Sequence, residues 1–154
     1  MKILISRCLI GAPCRYDGKR IIHTELLSLL EGHKLYFVCP EVEGGLPIPR
    51  SPAEIQGEQV ITKFGNDVTQ IYELGSDIAL ERARFKQVDI VIMKERSPSC
   101  GVHQIYDGSF TGTIKEGQGI TTKKLRNDGF QVFSDEDLEE IKKFLEEESE
   151  DSQM

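Results

Sequence analysis

The sequence feature that most constrains the fold is a short apolar run at residues 88–93, which reads VDIVIM. Its length and its β-branched residues indicate a strand rather than a helix. A strand without a polar face has to be covered on both sides, which is the usual situation of a central strand in a parallel sheet. The run therefore predicts an α/β fold in which helices pack against the sheet.

Further predicted elements alternate along the chain as such a fold requires. Apolar runs predict strands at residues 2–6, 35–38, 59–62 and 130–133, and periodicity and capping signals predict helices from Thr24, from Asp67 with Gln70, over 121–127 and from Ser134 to about Glu147. Residues 40–58 are rich in glycine and proline, so we expect a long loop there. The sequence predicts a single three-layer α/β domain, Rossmann/flavodoxin-like, with a mainly parallel sheet of about five strands.

The length and charge of the chain agree with one domain. A chain of 154 residues with 38% hydrophobic content can bury one core and is not wholly disordered. Residues 134–154 hold ten acids and two lysines, so they account for the net charge of −7 and leave residues 1–133 at +1. We expect residues 1–133 to form the domain core and residues 134–154 to be an acidic C-terminal helix and tail of the same domain.

Charge and hydropathy also exclude some partners. The chain has no basic stripe of the kind that binds DNA, and no apolar run approaches the roughly 20 residues that cross a bilayer. The apolar stretch at the start ends at Arg7, which is too early for a signal peptide. We therefore expect a cytoplasmic protein that binds neither a membrane nor DNA.

The positions of the cysteines carry the functional information. Cys8, Cys39 and Cys100 each follow a predicted strand, and the carboxyl ends of parallel strands share one edge of the sheet, where ligands bind. Cys14 lies in the loop after Cys8, and no Cys-x-x-Cys pair is present, which excludes zinc-ribbon and ferredoxin spacings. In a reducing compartment these thiols are metal ligands, a catalytic thiol or buried core residues.

Several segments resemble the 2-thiouracil desulfidase family. They span most of residues 1–133 in order, and the most specific is the segment from Lys94 to Gly101. The matching segments are CLIG at 8–11, PCRYDG at 13–18, VCPEVEGGL at 38–46, KERSPSCG at 94–101 and YDG at 106–108.

The resemblance implies a cofactor and a reaction. The cofactor is a [4Fe-4S] cluster held by Cys8, Cys39 and Cys100, with one iron that the protein does not bind. Cys14 stays outside this ligand set. The reaction is a non-redox desulfuration, in which hydrolysis removes sulfur as sulfide from a small thiolated nucleobase such as 2-thiouracil.

The resemblance also suggests which side chains act. Glu41, two residues after Cys39, is the expected general base, with Glu43 as the second choice. Ser97 is expected to orient the water or to bond the departing sulfur, and Tyr16 and Ser99 to bind substrate.

Two other functions remain open from the residues. The same cysteines could hold zinc in a structural or regulatory domain without catalysis. Alternatively, Cys14 could be a nucleophile that Arg15 activates, although no histidine and acid pair lies near it in the sequence.

Overall fold

A computed structural model describes residues 1–11, 16–18 and 23–152, with the side chains of 149–152 excepted. The described part contains eight strands and five α-helices. The strands are β1 (Lys2–Ser6), β2 (Lys34–Val38), β3 (Ala53–Gln56), β4 (Gln59–Thr62), β5 (Ile90–Met93), β6 (Gln104–Tyr106), β7 (Ile114–Glu116) and β8 (Val132–Ser134). The helices are α1 (Thr24–Leu29), α2 (Pro40–Glu43), α3 (Thr69–Lys86), α4 (Ile120–Asn127) and α5 (Leu138–Ser152), and a 3₁₀ turn spans Arg7–Leu9.

The central sheet is parallel and has the strand order β2-β1-β5-β8. All four residues of β5 are buried, as the apolar run predicts for a strand covered on both sides. The α/β class and the parallel sheet are thus confirmed, but the sheet has four strands rather than about five. The remaining strands form two separate antiparallel hairpins, β3-β4 and β6-β7, and the connection in the second contains the turn-forming pair Asp107-Gly108.

Side chains alternate between the two faces of the sheet and form a buried cluster on each. Ile3, Ile5 and Ile92 lie in a cluster with residues of α1 and α5, such as Leu26 and Ile141. The alternate residues of the same strands lie in a second cluster with residues of α3 and α4, namely Leu4, Val91 and Met93 with Ala79, Ala83 and Leu125. This two-residue period is the expected consequence of the β pleat.

Three sequence predictions need correction. Residues 40–58 are not a continuous loop, because α2 and β3 lie within them. Pro40 begins α2, and proline is well tolerated at a first helical position, where its missing N–H would have no intrahelical partner. Helix α5 runs to Ser152, beyond the predicted end near Glu147. Helix α3 starts at Thr69 rather than at Asp67. The amide of Thr69 donates to the Asp67 carboxylate (N to Oδ1, 2.9 Å), whereas the sequence predicts that Asp67 pairs with Gln70.

Helices α2 and α3 pack unusually closely, and glycines make this possible. A Cβ atom at Gly75 of α3 would lie 1.9 Å from the carbonyl oxygen of Pro40, and one at Gly44 would lie 2.4 Å from the carbonyl oxygen of Ile71. The backbones of the two helices are therefore in direct contact. This contact brings the residues of α2, which follow β2, against the side of α3.

None of the helices within the described ranges is long and apolar enough to cross a membrane.

Candidate active site

A cavity of about 480 Å³ opens at the carboxyl ends of the parallel strands. Its volume falls within the range of about 300–1,000 Å³ that is typical of small-molecule and cofactor sites. The cavity wall contains six of the eight residues to which the resemblance assigns a role: Cys8, Cys39, Cys100, Glu41, Ser97 and Tyr16. The structure thus brings together residues that are up to 92 positions apart in the sequence, as the shared edge of a parallel sheet allows.

Each cysteine reaches the cavity from a different strand end. Cys8 lies in the 3₁₀ turn that follows β1, and Cys39 is the N-cap of α2, directly after β2. The amide of Cys39 donates to the Glu43 carboxylate (N to Oε2, 3.0 Å). Glu43 in turn forms two bonds with the guanidinium of Arg82, at 2.7 and 2.9 Å. Glu43 therefore fixes the backbone of a cysteine, and it does not line the cavity as a second base would.

Cys100 lies in a loop that a hydroxyl group and a carboxylate hold together. The Ser97 hydroxyl accepts hydrogen bonds from the amides of Ser99 (3.0 Å) and Cys100 (3.1 Å). The buried Glu95 carboxylate accepts from the amides of Val102, His103 and Gln104 at 2.8–3.0 Å.

The charge of Glu95 is stabilised by these amides. Burial alone would raise its pKa, but hydrogen bonds from the Gln104 amide, the Ser134 side chain and the amides of His103 and Val102 outweigh burial and lower the pKa below its usual value. A carboxylate that collects several backbone N–H groups is thus expected to remain ionised. It ties the residues after Cys100 back to the end of β5.

The thiol of Cys100 sits in surroundings that oppose its ionisation. Burial, the Glu41 carboxylate and Cys39 together raise the pKa of Cys100 to about 12. A thiolate at this position therefore needs a cation, and a metal centre supplies one when it binds.

The three thiols on the cavity wall are the kind of ligand that an iron-sulfur cluster uses. A cubane binds each thiolate at a different iron, so its ligands can come from separate loops. Within the described residues, no group of three or more His, Cys, Asp or Glu side chains is arranged to hold a metal ion.

The carboxylate of Glu41 is on the cavity wall and has a partner at each oxygen. Arg50 donates to Oε2 at 2.6 Å and Tyr72 donates to Oε1 at 2.7 Å. Burial and the neighbouring Glu41 raise the pKa of Tyr72 well above its usual value, so its hydroxyl stays protonated and acts as a donor. Arg50 and Tyr72 also line the cavity.

The other predicted residues have different surroundings. Tyr16 lines the cavity with 45% of its surface exposed. Ser99 does not line it: its hydroxyl is fully buried and bonds Thr121 (Oγ to Oγ1, 2.7 Å), so the geometry gives no support to a contact with substrate. Cys14 and Arg15 lie outside the described residues, so the structure does not bear on the nucleophile hypothesis.

Sequence reasoning did not find Arg50, Tyr72 or Glu95. Arg50 lies in a proline-rich segment without any pattern that marks it, and the periodicity of the predicted helix places Tyr72 only on an inward face. Glu95 lies inside the specific segment 94–101, which was the one available signal. The partner of each of these three side chains is recognisable only in three dimensions.

The chain resembles known proteins along nearly its whole length. The family profile described as 2-thiouracil desulfurase matches residues 3–137. The uncharacterized protein YbbK of Bacillus subtilis (strain 168) is 38% identical over 149 residues, which cover 90% of this chain and 99% of YbbK. A solved structure, that of the [4Fe-4S]-dependent thiouracil desulfidase TudS, is 45% identical with a TM-score of 0.87, and the match covers 94% of this chain and 97% of TudS.

Proposed function

This chain belongs to the 2-thiouracil desulfurase family, and we propose that it uses a [4Fe-4S] cluster to remove the sulfur of a thiolated nucleobase such as 2-thiouracil. Membership of the family confirms the resemblance seen in the sequence and the prediction of a desulfidase-like enzyme. The [4Fe-4S] cluster and the thiouracil substrate are those of TudS, and their assignment to this chain is part of the proposal.

The observation that carries the proposal is the presence of three cysteines from separate strand ends on the wall of one cavity. We assign Cys8, Cys39 and Cys100 as the residues that hold the cluster. A cluster with three protein thiolates supplies one iron that the protein does not coordinate, and this iron can accept a soft sulfur ligand.

Glu41 is the proposed general base. Its carboxylate pairs with the Arg50 guanidinium and lies on the cavity wall, so it is placed to take a proton from a water molecule beside the substrate. The water oxygen adds to the thiocarbonyl carbon, the carbon–sulfur bond then breaks, and Glu41 returns the proton to the departing sulfur. One water is consumed and one hydrogen sulfide is produced for each thiolated nucleobase, and no electrons are transferred overall.

Ser97 is proposed to donate a hydrogen bond toward the sulfur of the substrate. A hydroxyl has two acceptor lone pairs and one hydrogen, and both lone pairs of Ser97 are already used by the amides of Ser99 and Cys100. Its hydrogen is what remains to interact with a ligand. This makes Ser97 a donor to developing negative charge rather than a second base.

Tyr16 is proposed to bind the substrate through its ring. The residue lines the cavity and is 45% exposed, and aromatic rings stack well on planar nucleobases. The contribution of stacking is about 1–3 kcal/mol per base in other proteins, so Tyr16 would affect substrate affinity more than the chemical step.

Three predictions, on the architecture, the extent of the domain and the location, belong to the proposal. We propose that helices on both faces make the domain a three-layer, Rossmann/flavodoxin-like one, which is supported by a buried cluster on each face. The packing of Ile141 and Leu145 in one of these clusters supports including residues 134–154 in the same domain. We propose a cytoplasmic location, because a reducing compartment keeps cysteines such as Cys8 and Cys100 as thiols.

The test combines a metal assay with an activity assay. We expect anaerobically reconstituted protein to hold about four irons and four sulfides per chain and to release sulfide from 2-thiouracil. Glu41→Gln should keep the iron but lose turnover by roughly 10²- to 10⁴-fold, because general bases contribute about this much. The matched control is Glu58→Gln, which changes an exposed glutamate in the turn between β3 and β4.

Two results would contradict the proposal. Stoichiometric zinc with no iron after reconstitution would favour the structural or regulatory zinc domain, which membership of the desulfurase family does not favour. Unchanged turnover in Glu41→Gln would remove Glu41 from the mechanism even if the cluster is present.

A further inference from the structure

We propose that Arg50 and Tyr72 are positioning residues that together fix the Glu41 carboxylate in the orientation needed to accept a proton. The inference rests on the proposed function and extends it to two residues whose partners are defined by geometry alone. Neither residue was distinguished by the sequence, and both line the same cavity as the three cysteines.

The two bonds to Glu41 are complementary. Arg50 binds Oε2 and Tyr72 binds Oε1, so that each oxygen is held by a different donor. A carboxylate has about four lone-pair sites, and two of them remain for water after these bonds form. With both oxygens held, rotation about the last bond of the side chain would break at least one hydrogen bond. The acceptor sites that remain thus have a fixed direction.

The donors come from separate parts of the fold. Tyr72 is on α3, and it reaches Glu41 of α2 because Gly75 lets the backbone of α2 approach that helix. Arg50 comes from the segment before β3, where its amide donates to the carbonyl of Tyr16 at 2.7 Å. Its guanidinium also donates to the carbonyl of Pro47 at 3.3 Å. The position of Glu41 is therefore set by tertiary contacts and not by its own short helix.

Burial distinguishes these contacts from an ordinary surface pair. The side chain of Arg50 is 5% exposed and that of Glu41 is 16% exposed, whereas surface ion pairs are largely solvated and contribute little. Tyr72 is 2% exposed. The only side chain of the three that retains appreciable access to the cavity is the one proposed to exchange a proton. The arrangement is what a base held by two supporting groups requires.

The test compares kcat with KM in conservative variants of the reconstituted protein. Tyr72→Phe removes a single hydroxyl, and Arg50→Lys keeps the charge but not the fork of donors. We expect kcat on 2-thiouracil to fall roughly 10- to 100-fold in each, because small misplacements of a reacting group can cost about 100-fold. KM and iron content should change by less than about threefold, since neither residue holds the cluster and substrate binding precedes proton transfer.

Matched controls and chemical rescue separate positioning from general destabilisation. Tyr36→Phe and Arg84→Lys change a tyrosine and an arginine outside the cavity lining, and kcat should not change. In Arg50→Ala, added methylguanidinium should restore part of kcat, which a merely destabilised protein would not show. If Arg50→Ala does not fold, Tyr72→Phe alone decides the question.

The inference and the proposed function fail in different ways. No sulfide release from unmodified protein with full iron content would overturn both. A normal kcat in Tyr72→Phe and Arg50→Lys beside an inactive Glu41→Gln would overturn the inference alone. A loss of kcat that is matched by loss of iron would also overturn it, since the residues would then support the cluster rather than the base.

Discussion

Replacing Gly75 by alanine tests whether the contact between α2 and α3 organises the site. Alanine normally stabilises a helix interior by about 1 kcal/mol relative to glycine. At this position the new Cβ would lie 1.9 Å from the carbonyl oxygen of Pro40 and 2.7 Å from its carbonyl carbon. Contacts between heavy atoms are favourable from roughly 3.5 Å, so the helices would have to separate by about 1.5 Å.

The change in the free energy of unfolding is therefore expected to be opposite in sign to the effect of helix propensity. Overpacking typically costs about 1–3 kcal/mol, and backbone atoms cannot relieve the clash by changing rotamer, so the cost should be near 3 kcal/mol. After the gain in propensity, we expect a net loss of about 2 kcal/mol, which corresponds to a melting temperature lower by roughly 4–8 °C. Thermal unfolding of the anaerobic, reconstituted protein by circular dichroism measures this change.

The same substitution should also reduce activity, because separation of the helices moves Glu41 away from Tyr72. We expect kcat to fall roughly 100-fold, as for other displacements of about 1 Å at a reacting group. Leu74→Ala is the control, since this neighbouring residue of α3 is 52% exposed and should change stability by less than about 0.5 kcal/mol apart from helix propensity. A Gly75→Ala protein that melts at or above the normal temperature would refute the reasoning.

The remaining predictions concern the loop that carries Cys100 and the proposed substrate contact of Tyr16. Glu95→Gln should lower iron content after reconstitution, because an uncharged side chain holds the amides of residues 102–104 less strongly; normal iron content would show that the loop is held by other contacts. The pKa of Glu95 is lowered in the folded state, so the ionised carboxylate stabilises the fold above the unfolded pKa of about 4.3. This stabilisation is lost as the pH falls through the folded pKa. In Glu95→Gln, the free energy of unfolding measured without metal should therefore decrease less steeply at acid pH. Ser99→Ala should leave KM for 2-thiouracil unchanged and lower the free energy of unfolding by about 1 kcal/mol, because the hydrogen bond to Thr121 is lost. Tyr16→Ala should raise KM. A raised KM in Ser99→Ala would show that Ser99 contacts the substrate after all.

Local patterns in the sequence determined the class of fold and the edge at which function lies. The apolar run at 88–93 predicts a covered strand because hydrophobic burial requires that its two faces be packed, and β5 is buried throughout. The positions of Cys8, Cys39 and Cys100 after their strands predict a common edge because parallel strands all end on the same side. These inferences depend on periodicity and order along the chain, which the sequence contains directly.

The tertiary structure alone decided how the site is held. Arg50 and Tyr72 meet Glu41 from two other segments, and Tyr72 is 31 positions away in the sequence. The number of strands and the helix within residues 40–58 were also mispredicted, since short elements are stabilised by packing rather than by their own propensity. A hydrogen bond forms only when the donor–acceptor distance is within a few tenths of an ångström of its ideal value. No local pattern of residues encodes that distance for side chains that are far apart in the sequence.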